Sequence, residues 1–372
     1  MRDLDRFPVI DRTEHDERRP DFLSTSFDDP RLEALKISTN GTHGASLRVA
    51  WDLPSFFDLN HASYLRLSTV LPTLFPSVVA GEPTVFVISD SPRDVRASIV
   101  MPSLSGTVLR KLVSGRDGAT DAALVTHLRR SRVALLHGKP SVLVNLAGLD
   151  QSHGGAGRIA PANIVCSGEN LYPDDRARIE AWFGCPVLNA YVASETGMIG
   201  LECEQRAGLH VVTDHLTVEV APDDEPPRAT GTGQVLVTNA LNWRHVFVRY
   251  RVGDRATVTS DRCDCGHEGQ TVVALPGRER AAYRSGAGAV AADDIGTVIA
   301  AVEPPVRQYQ VTQADDHRIA IRWVPEPGGA PELTAGALAT ALHRRFPAAT
   351  FDLCPVGAAA INSPGGKLRR FL

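Results

Sequence analysis

The sequence has no apolar run long enough to cross a bilayer. Its longest, such as Thr84 to Ile88 and Val133 to Leu136, fall far short of the roughly 20 residues a spanning helix needs, so no membrane partner is expected. The opening MRDLDRFPVIDRTEHDERRP is charged throughout and lacks the apolar centre of a secretory leader, so a cytoplasmic location is expected. Positive charge is not in excess: the formal net charge is -4 and no Lys/Arg stripe is dense enough to hold a phosphate backbone, so nucleic acid is not an expected partner. Six cysteines in 372 residues are too few for a disulfide scaffold and read as buried thiols or metal ligands. Lysine is scarce too, with Lys36, Lys111, Lys139 and Lys367 its only occurrences, so a lysine in a glycine-rich setting stands out.

What remains is an ordinary globular composition, 43% hydrophobic and 22% charged, in a chain long enough for two or three domains. Residues 1 to 30 show little periodicity and read as a surface arm. Strand-like and helix-like runs then alternate: Thr84 to Ser89, a helix over Asp121 to Ser131, Val133 to Leu136, a helix from Pro140, Ile164 to Cys166, a helix from Pro173 to Phe183, and Val187 to Tyr191. This predicts an α/β body with parallel sheet, and Pro173 followed by Asp174 and Asp175 predicts a helix start. From about residue 208 the runs shorten and become β-rich, with Val246 to Arg251 and Ala256 to Thr259 read as separate strands. From Gly277 strands and helices mix again, as in a small α+β unit.

Four segments carry chemistry. Thr39-Asn40-Gly41-Thr42-His43-Gly44 offers backbone N–H groups and hydroxyls that can cradle a phosphate, or it is a plain Gly-rich turn, the reading the segment favours when taken alone. Tyr191 to Gly197 follows a strand, where α/β sheets place ligands; Glu195 can hold Mg²⁺ there, or the segment is a polar turn. In Arg249 to Asp254 a strand ends at Gly253, leaving Asp254 either to bind ribose hydroxyls or to close a hairpin. The Ser363 to Arg370 segment carries Lys367 on a Gly-rich loop able to swing into a site, or it is a basic tail.

The order of TNGTHG, SGENLYPDDRARIEAWFGCPVLNAYVASETG, VRYRVGD, GRER and SPGGKLRRF resembles the successive motifs of adenylate-forming (acyl-CoA synthetase) enzymes, from about Phe7 to the end of the chain. LECEQRAGLHVVTDHLTVEV followed by CDCG resembles the phenylacetate-CoA ligase group within them. The resemblance implies a large N-terminal adenylation domain (1–276) with a β-rich subdomain and a small α+β C-terminal lid (277–372) that changes orientation during the cycle. It implies an acid-thiol ligase that activates a carboxylic acid, expected to be aromatic, as acyl-AMP and passes the acyl group to CoA; transfer to an amine or other nitrogen acceptor and a noncatalytic nucleotide-binding homologue are the alternatives.

By position, the resemblance assigns Thr39, Gly41, Thr42 and Gly44 to the ATP phosphates, and Gly168, Glu169 and Tyr191 to the adenine. It assigns Glu195 to Mg²⁺, Thr196 to the α-phosphate, Asp254 and Arg278 to the ribose, and Lys367 to the adenylation step. Departures from the usual pattern lie at Asn40, His43 and Ala45-Ser46, at Glu279-Arg280 in the hinge, and at Arg284 to Val290, a region that bears on the acyl acceptor. Cys203, His210, Cys263 and Cys265 can supply a ligand set for a structural Zn²⁺, with His215 and His267 as substitutes for His210; alone they read as ordinary buried thiols, and the resemblance favours zinc, whereas Cys166, Cys185 and Cys354 read as core residues. A homodimer is compatible with the resemblance.

Overall fold

The computed structural model describes residues 4–25, 34–38, 48–70, 83–89, 97–101, 107–113, 118–154, 156–213, 215–277, 282–286, 288–326, 328–357, 360–361 and 368–372. Elements run in the order α1 (Arg12–Glu17), β1 (Ala34–Ser38), β2 (Arg48–Asp52), α2 (Leu53–Val70), β3 (Pro83–Ser89), β4 (Ala97–Met101), β5 (Thr107–Val113), α3 (Gly118–Arg130), β6 (Leu135–Gly138), α4 (Pro140–Ser152), β7 (Ile164–Ser167), α5 (Pro173–Phe183), β8 (Val187–Ala193), β9 (Gly197–Glu202), β10 (Leu209–Val211), β11 (Leu216–Ala221), β12 (Gly231–Asn239), β13 (Phe247–Thr259) and β14 (Thr271–Gly277). Then follow β15 (Ala282–Ser285), β16 (Gly288–Ala291), α6 (Ala292–Ala300), β17 (Val306–Gln313), β18 (Arg318–Pro325), α7 (Pro331–Arg345) and β19 (Thr350–Pro355). Among the described residues no helix is long and apolar enough to cross a membrane.

Twelve strands join in one sheet, ordered β11-β12-β13-β14-β10-β9-β8-β7-β6-β3-β5-β4. Its centre, β8-β7-β6-β3-β5, is parallel, and the β-rich run is hydrogen-bonded onto it through the antiparallel β8–β9 pair. Both faces of the parallel part are covered, as parallel sheets require. Leu124 and Leu128 of α3, Val142 and Leu146 of α4, and Ile179 and Phe183 of α5 pack one face; Leu67 of α2 joins the core on the other. Helix α5 illustrates the local logic. Pro173 opens it, Asp175, Ile179 and Phe183 bury one stripe four residues apart, and Gly184 closes it in the left-handed region at φ 75°.

After β14 the chain builds its own small sheets, β15-β16 and β17-β18-β19, around Ile295, Val311, Ile321, Trp323, Leu338 and Leu342. Strands β18 and β19 are parallel, joined by the α7 crossover.

Three expectations need correction. The N-terminal segment is docked rather than a loose arm: Ile10 bridges to Tyr250, Leu23 to His245, and His15 is fully buried. The strands read as Val246 to Arg251 and Ala256 to Thr259 are one strand, β13, interrupted by a bulge. Cys354 is exposed, because it lies on the β19 edge of its sheet.

Candidate functional site

The candidate chemistry gathers where β7 and β8 end. The β8–β9 turn, Ser194-Glu195-Thr196, is held from two sides: the Trp51 indole N–H donates to the Ser194 carbonyl (3.3 Å), and the Asn239 side-chain amide donates to the Glu195 carbonyl (3.0 Å). Gly197 completes the turn at φ 75°, where any side chain is strained and a Cβ would come within 2.6 Å of Leu59. Thr196 is fully buried, and its hydroxyl has no hydrogen-bond partner among the described residues. Burying a hydroxyl unpaired costs stability, so this donor is either strained or waiting for a ligand oxygen.

Across the sheet, the Tyr191 hydroxyl donates to Asp254 Oδ2 at 2.8 Å, joining two residues 63 positions apart. Asp254 does not end a strand. Gln234 pairs with Arg255 and Leu236 with Arg251, so four residues of β13 cover the span of two on β12, and Gly253 takes φ 87°. A bulge of this kind re-aims side chains beside a site, and here it accompanies the carboxylate that meets Tyr191.

Gly168 and Glu169 follow β7. Gly168 turns at φ 83°, and Glu169 then accepts two backbone N–H bonds, from Ser141 at the start of α4 (3.3 Å) and from Leu368 near the chain's end (2.7 Å). Beside them, His137 on β6 meets the Ser167 hydroxyl at 2.8 Å; burial pushes the imidazole down to about 4, so it is neutral at physiological pH. Thr39, Gly41, Thr42, Gly44, Arg278 and Lys367 lie outside the described residues.

A second constellation lies at the far end of β9. Ligand atoms of Cys203, His210, Cys263 and Cys265 all fall within 4.8 Å of one another. Topology brings them together: Cys203 follows β9, His210 lies on β10 between β9 and β14, and both remaining cysteines are in the β13–β14 connection. Cys203 and Cys263 sulfurs are 3.9 Å apart, and Cys265 sulfur is 3.2 Å from His210 Nε2. Tetrahedral zinc with bonds of about 2.3 Å to sulfur and 2.0 Å to nitrogen needs edges of about 3.8 and 3.5 Å, so the donor set fits that ion. His210 Nδ1 faces the Thr271 hydroxyl at 3.0 Å, the kind of outer partner that orients a ligating imidazole. Burial raises the Cys203 thiol to about 11, so a metal would have to displace its proton.

No protein-family model and no curated protein matches the sequence. Solved structures do. The chain superposes on 2-hydroxyisobutyryl-CoA ligase, in the postadenylation state with 2-HIB-AMP, at a TM-score of 0.71 and 17% identity, covering 100% of this chain and 80% of that one. The fold is that of an acyl-CoA ligase. Against the same ligase with 2-HIB-AMP and CoA in the thioesterification state, the TM-score is 0.58 at 18% identity over 98% of this chain and 79% of that one. An anthranilate-CoA ligase with anthranoyl-AMP gives 0.60 at 13% identity over 92% and 66%.

Within this acyl-CoA ligase fold, sequence reasoning missed three things. It gave no role to Trp51 or Asn239, which hold the Ser194–Thr196 turn from distant segments. It gave no sign that the Glu169 carboxylate oxygens accept N–H groups from Ser141 and Leu368. And it gave Arg370 no role of its own, although the side chain is 2% exposed and bonds both Asp174 and Asp175. The doubled acid Asp174-Asp175 was a visible signal, but it was spent on the helix start alone.

Proposed function

We propose that the chain is an ATP-dependent acid-thiol ligase that converts a carboxylic acid to its acyl-AMP and then passes the acyl group to CoA. The observation that carries the reading is the buried Thr196 hydroxyl, unpartnered among the described residues, beside Glu195 on a turn held from both sides at the mouth of β8, in a fold shared with CoA ligases that hold acyl-AMP. In the first step a substrate carboxylate oxygen attacks the α-phosphorus of ATP, the bond to the bridging oxygen breaks, and pyrophosphate leaves. Thr196 donates its hydroxyl to the α-phosphate, and Lys367 places its charge on the phosphate and the incoming carboxylate. Thr39, Gly41, Thr42 and Gly44 cradle the outer phosphates. Asp254, oriented by Tyr191, accepts from the ribose hydroxyls with Arg278 beside it, and Gly168, Glu169 and Tyr191 border the base.

Glu195 is the residue that would hold Mg²⁺, a hard ion suited to carboxylate oxygen, which would neutralise phosphate charge when bound. The Cys203, His210, Cys263 and Cys265 set would hold a structural zinc. Residues 1–276 act as the adenylation domain and 277–372 as the lid. An aromatic acid remains the expected substrate, and the anthranilate-CoA ligase among the similar structures supports it, while the 2-hydroxyisobutyryl-CoA ligase puts small aliphatic acids on the panel. The phenylacetate-CoA ligase group is the branch that the CDCG segment favours.

Purified chain with ATP, Mg²⁺ and aromatic and aliphatic acids, with and without CoA, is expected to release pyrophosphate with at least one acid and to form a thioester only when CoA is present. Pyrophosphate release with no thioester would favour a nitrogen acceptor, the reading suggested by the altered Arg284 to Val290 segment. Failure to release pyrophosphate with any acid would overturn adenylation.

A further inference from the structure

The last five residues tie two parts of the molecule together. On one side they belong to the C-terminal unit: Val311 N–H donates to the Arg370 carbonyl (2.6 Å), and Leu372 N–H donates to the Val311 carbonyl (2.9 Å), extending β17 by a short parallel bridge. On the other they reach the body. Leu368 N–H donates to Glu169, and two residues later the Arg370 guanidinium spreads over the first turn of α5, one nitrogen on Asp174 and the other on Asp175, each at 2.7 Å. The guanidinium lies between two tyrosine rings, 4.2 Å from that of Tyr172 on the body and 4.5 Å from that of Tyr309 on β17.

These contacts are unequal in strength. Arg178 also crosses to the C-terminal unit, bonding the Val306 carbonyl and Glu326, but its ion pair is about one-third exposed and exposed pairs contribute little. Gln308 adds a neutral bond to the Ser141 carbonyl (3.0 Å). Arg370 and Asp175 are almost wholly buried, so separating them without rehydration would strand charge in the protein; hence the pair is either closed or fully open to water. A planar fork between two carboxylates and two rings also fixes orientation in a way a point charge does not.

We infer that Glu169 and the Arg370–Asp174–Asp175 cluster form a two-point latch that positions the C-terminal unit for acyl-adenylate formation and must open before acyl transfer. The inference rests on the proposed ligase activity. It is independently motivated by the better superposition on the postadenylation state than on the thioesterification state of one ligase, 0.71 against 0.58. Glu169 and Arg370 are positioning residues: neither contributes an atom to the reaction.

The test uses the full chain with Glu169→Gln and Arg370→Lys, and Asp174→Asn as a milder change at the more exposed carboxylate. Amide exchange resolved by residue reads docking without any substrate. The Leu368 amide is expected to lose protection about tenfold in the variants while the Leu372 amide, bonded within its own unit, keeps its wild-type rate. Unchanged Leu368 exchange, or equal loss at Leu368 and Leu372, overturns the latch, the second because it reports unfolding of the C-terminal unit. The two half-reactions then give a second reading, with anthranoyl-AMP and 2-hydroxyisobutyryl-AMP as acyl donors to CoA. In Arg370→Lys and Asp174→Asn, acid-dependent pyrophosphate exchange is expected to fall about tenfold while thioester formation from supplied acyl-AMP holds or rises; an equal fall in both contradicts the latch. If the wild-type chain adenylates no acid, the proposed activity fails, and the exchange data still decide whether the contacts dock the unit.

Discussion

His15 Nε2 lies 2.7 Å from His245 Nε2, and neither side chain is exposed. The Ala50 N–H donates to His245 Nδ1 (3.2 Å), so His245 carries its proton on Nε2 and donates it to His15. The pair therefore requires both rings neutral. Burial pushes His245 down to about 3, helped by His15 and Arg19; burial also lowers His15, against Asp16 and with Arg19 and Arg12. Because Asn242 holds the Ala50 carbonyl as well, this core fixes β2, whose next residue is Trp51.

The sign of the pH effect follows. A histidine with a depressed folded-state value binds its proton more readily when unfolded. Stability is intact above the ordinary value of about 6.5, declines as pH falls below it, and stops declining once pH passes the folded-state value. Urea unfolding between pH 8 and 4 should show this loss, with a shallower dependence in His245→Gln; an unchanged slope would remove the pair from the account.

Thr196→Val separates folding from function. Replacing a buried hydroxyl that has no partner among the described residues with a methyl group should leave the apo midpoint unchanged or raise it, because no bond to those residues is lost and a desolvation cost is removed. Acid-dependent pyrophosphate release should fall by about tenfold or more. Thermal melting and kinetics on one preparation decide the matter: a marked drop in stability would mean that the hydroxyl is structural.

Trp51→Phe removes the bond to Ser194 and should cost about 1 kcal/mol of stability. Its effect on turnover should exceed that, since the turn carrying Glu195 and Thr196 loses a support; equal effects on stability and rate would argue against a positioning role.

Elemental analysis should find about one zinc per chain, lost on Cys203→Ser or Cys263→Ser together with several degrees of melting temperature. Full stability after exhaustive chelation would exclude a structural metal.

How much of this was legible depended on the range over which each signal acts. Pro173 and the following acids located α5 because helix starts are set by adjacent residues. The Cys and His spacing pointed to a cluster because ligand types are few and their chemistry is distinctive. The bulge that carries Asp254 was misread because Gly253 ends strands and kinks them equally well, and only the β12 partner decides between the two. His15 was read into a surface arm because its partner lies 230 residues away. The bonds of Glu169 to Leu368 and of Arg370 to Asp175 were hidden for the same reason: the partners are 199 and 195 residues apart, and no local pattern announces them.

Acid-dependent exchange of labelled pyrophosphate into ATP, without CoA, tests the central claim most directly, because label returns to ATP only through a reversible acyl-AMP. Label should enter ATP when the matching acid is present and not in its absence, and Lys367→Ala should lower the rate by about a hundredfold or more. Exchange that ignores the acid, or ATP that binds yet never exchanges with any acid tried, would contradict the account.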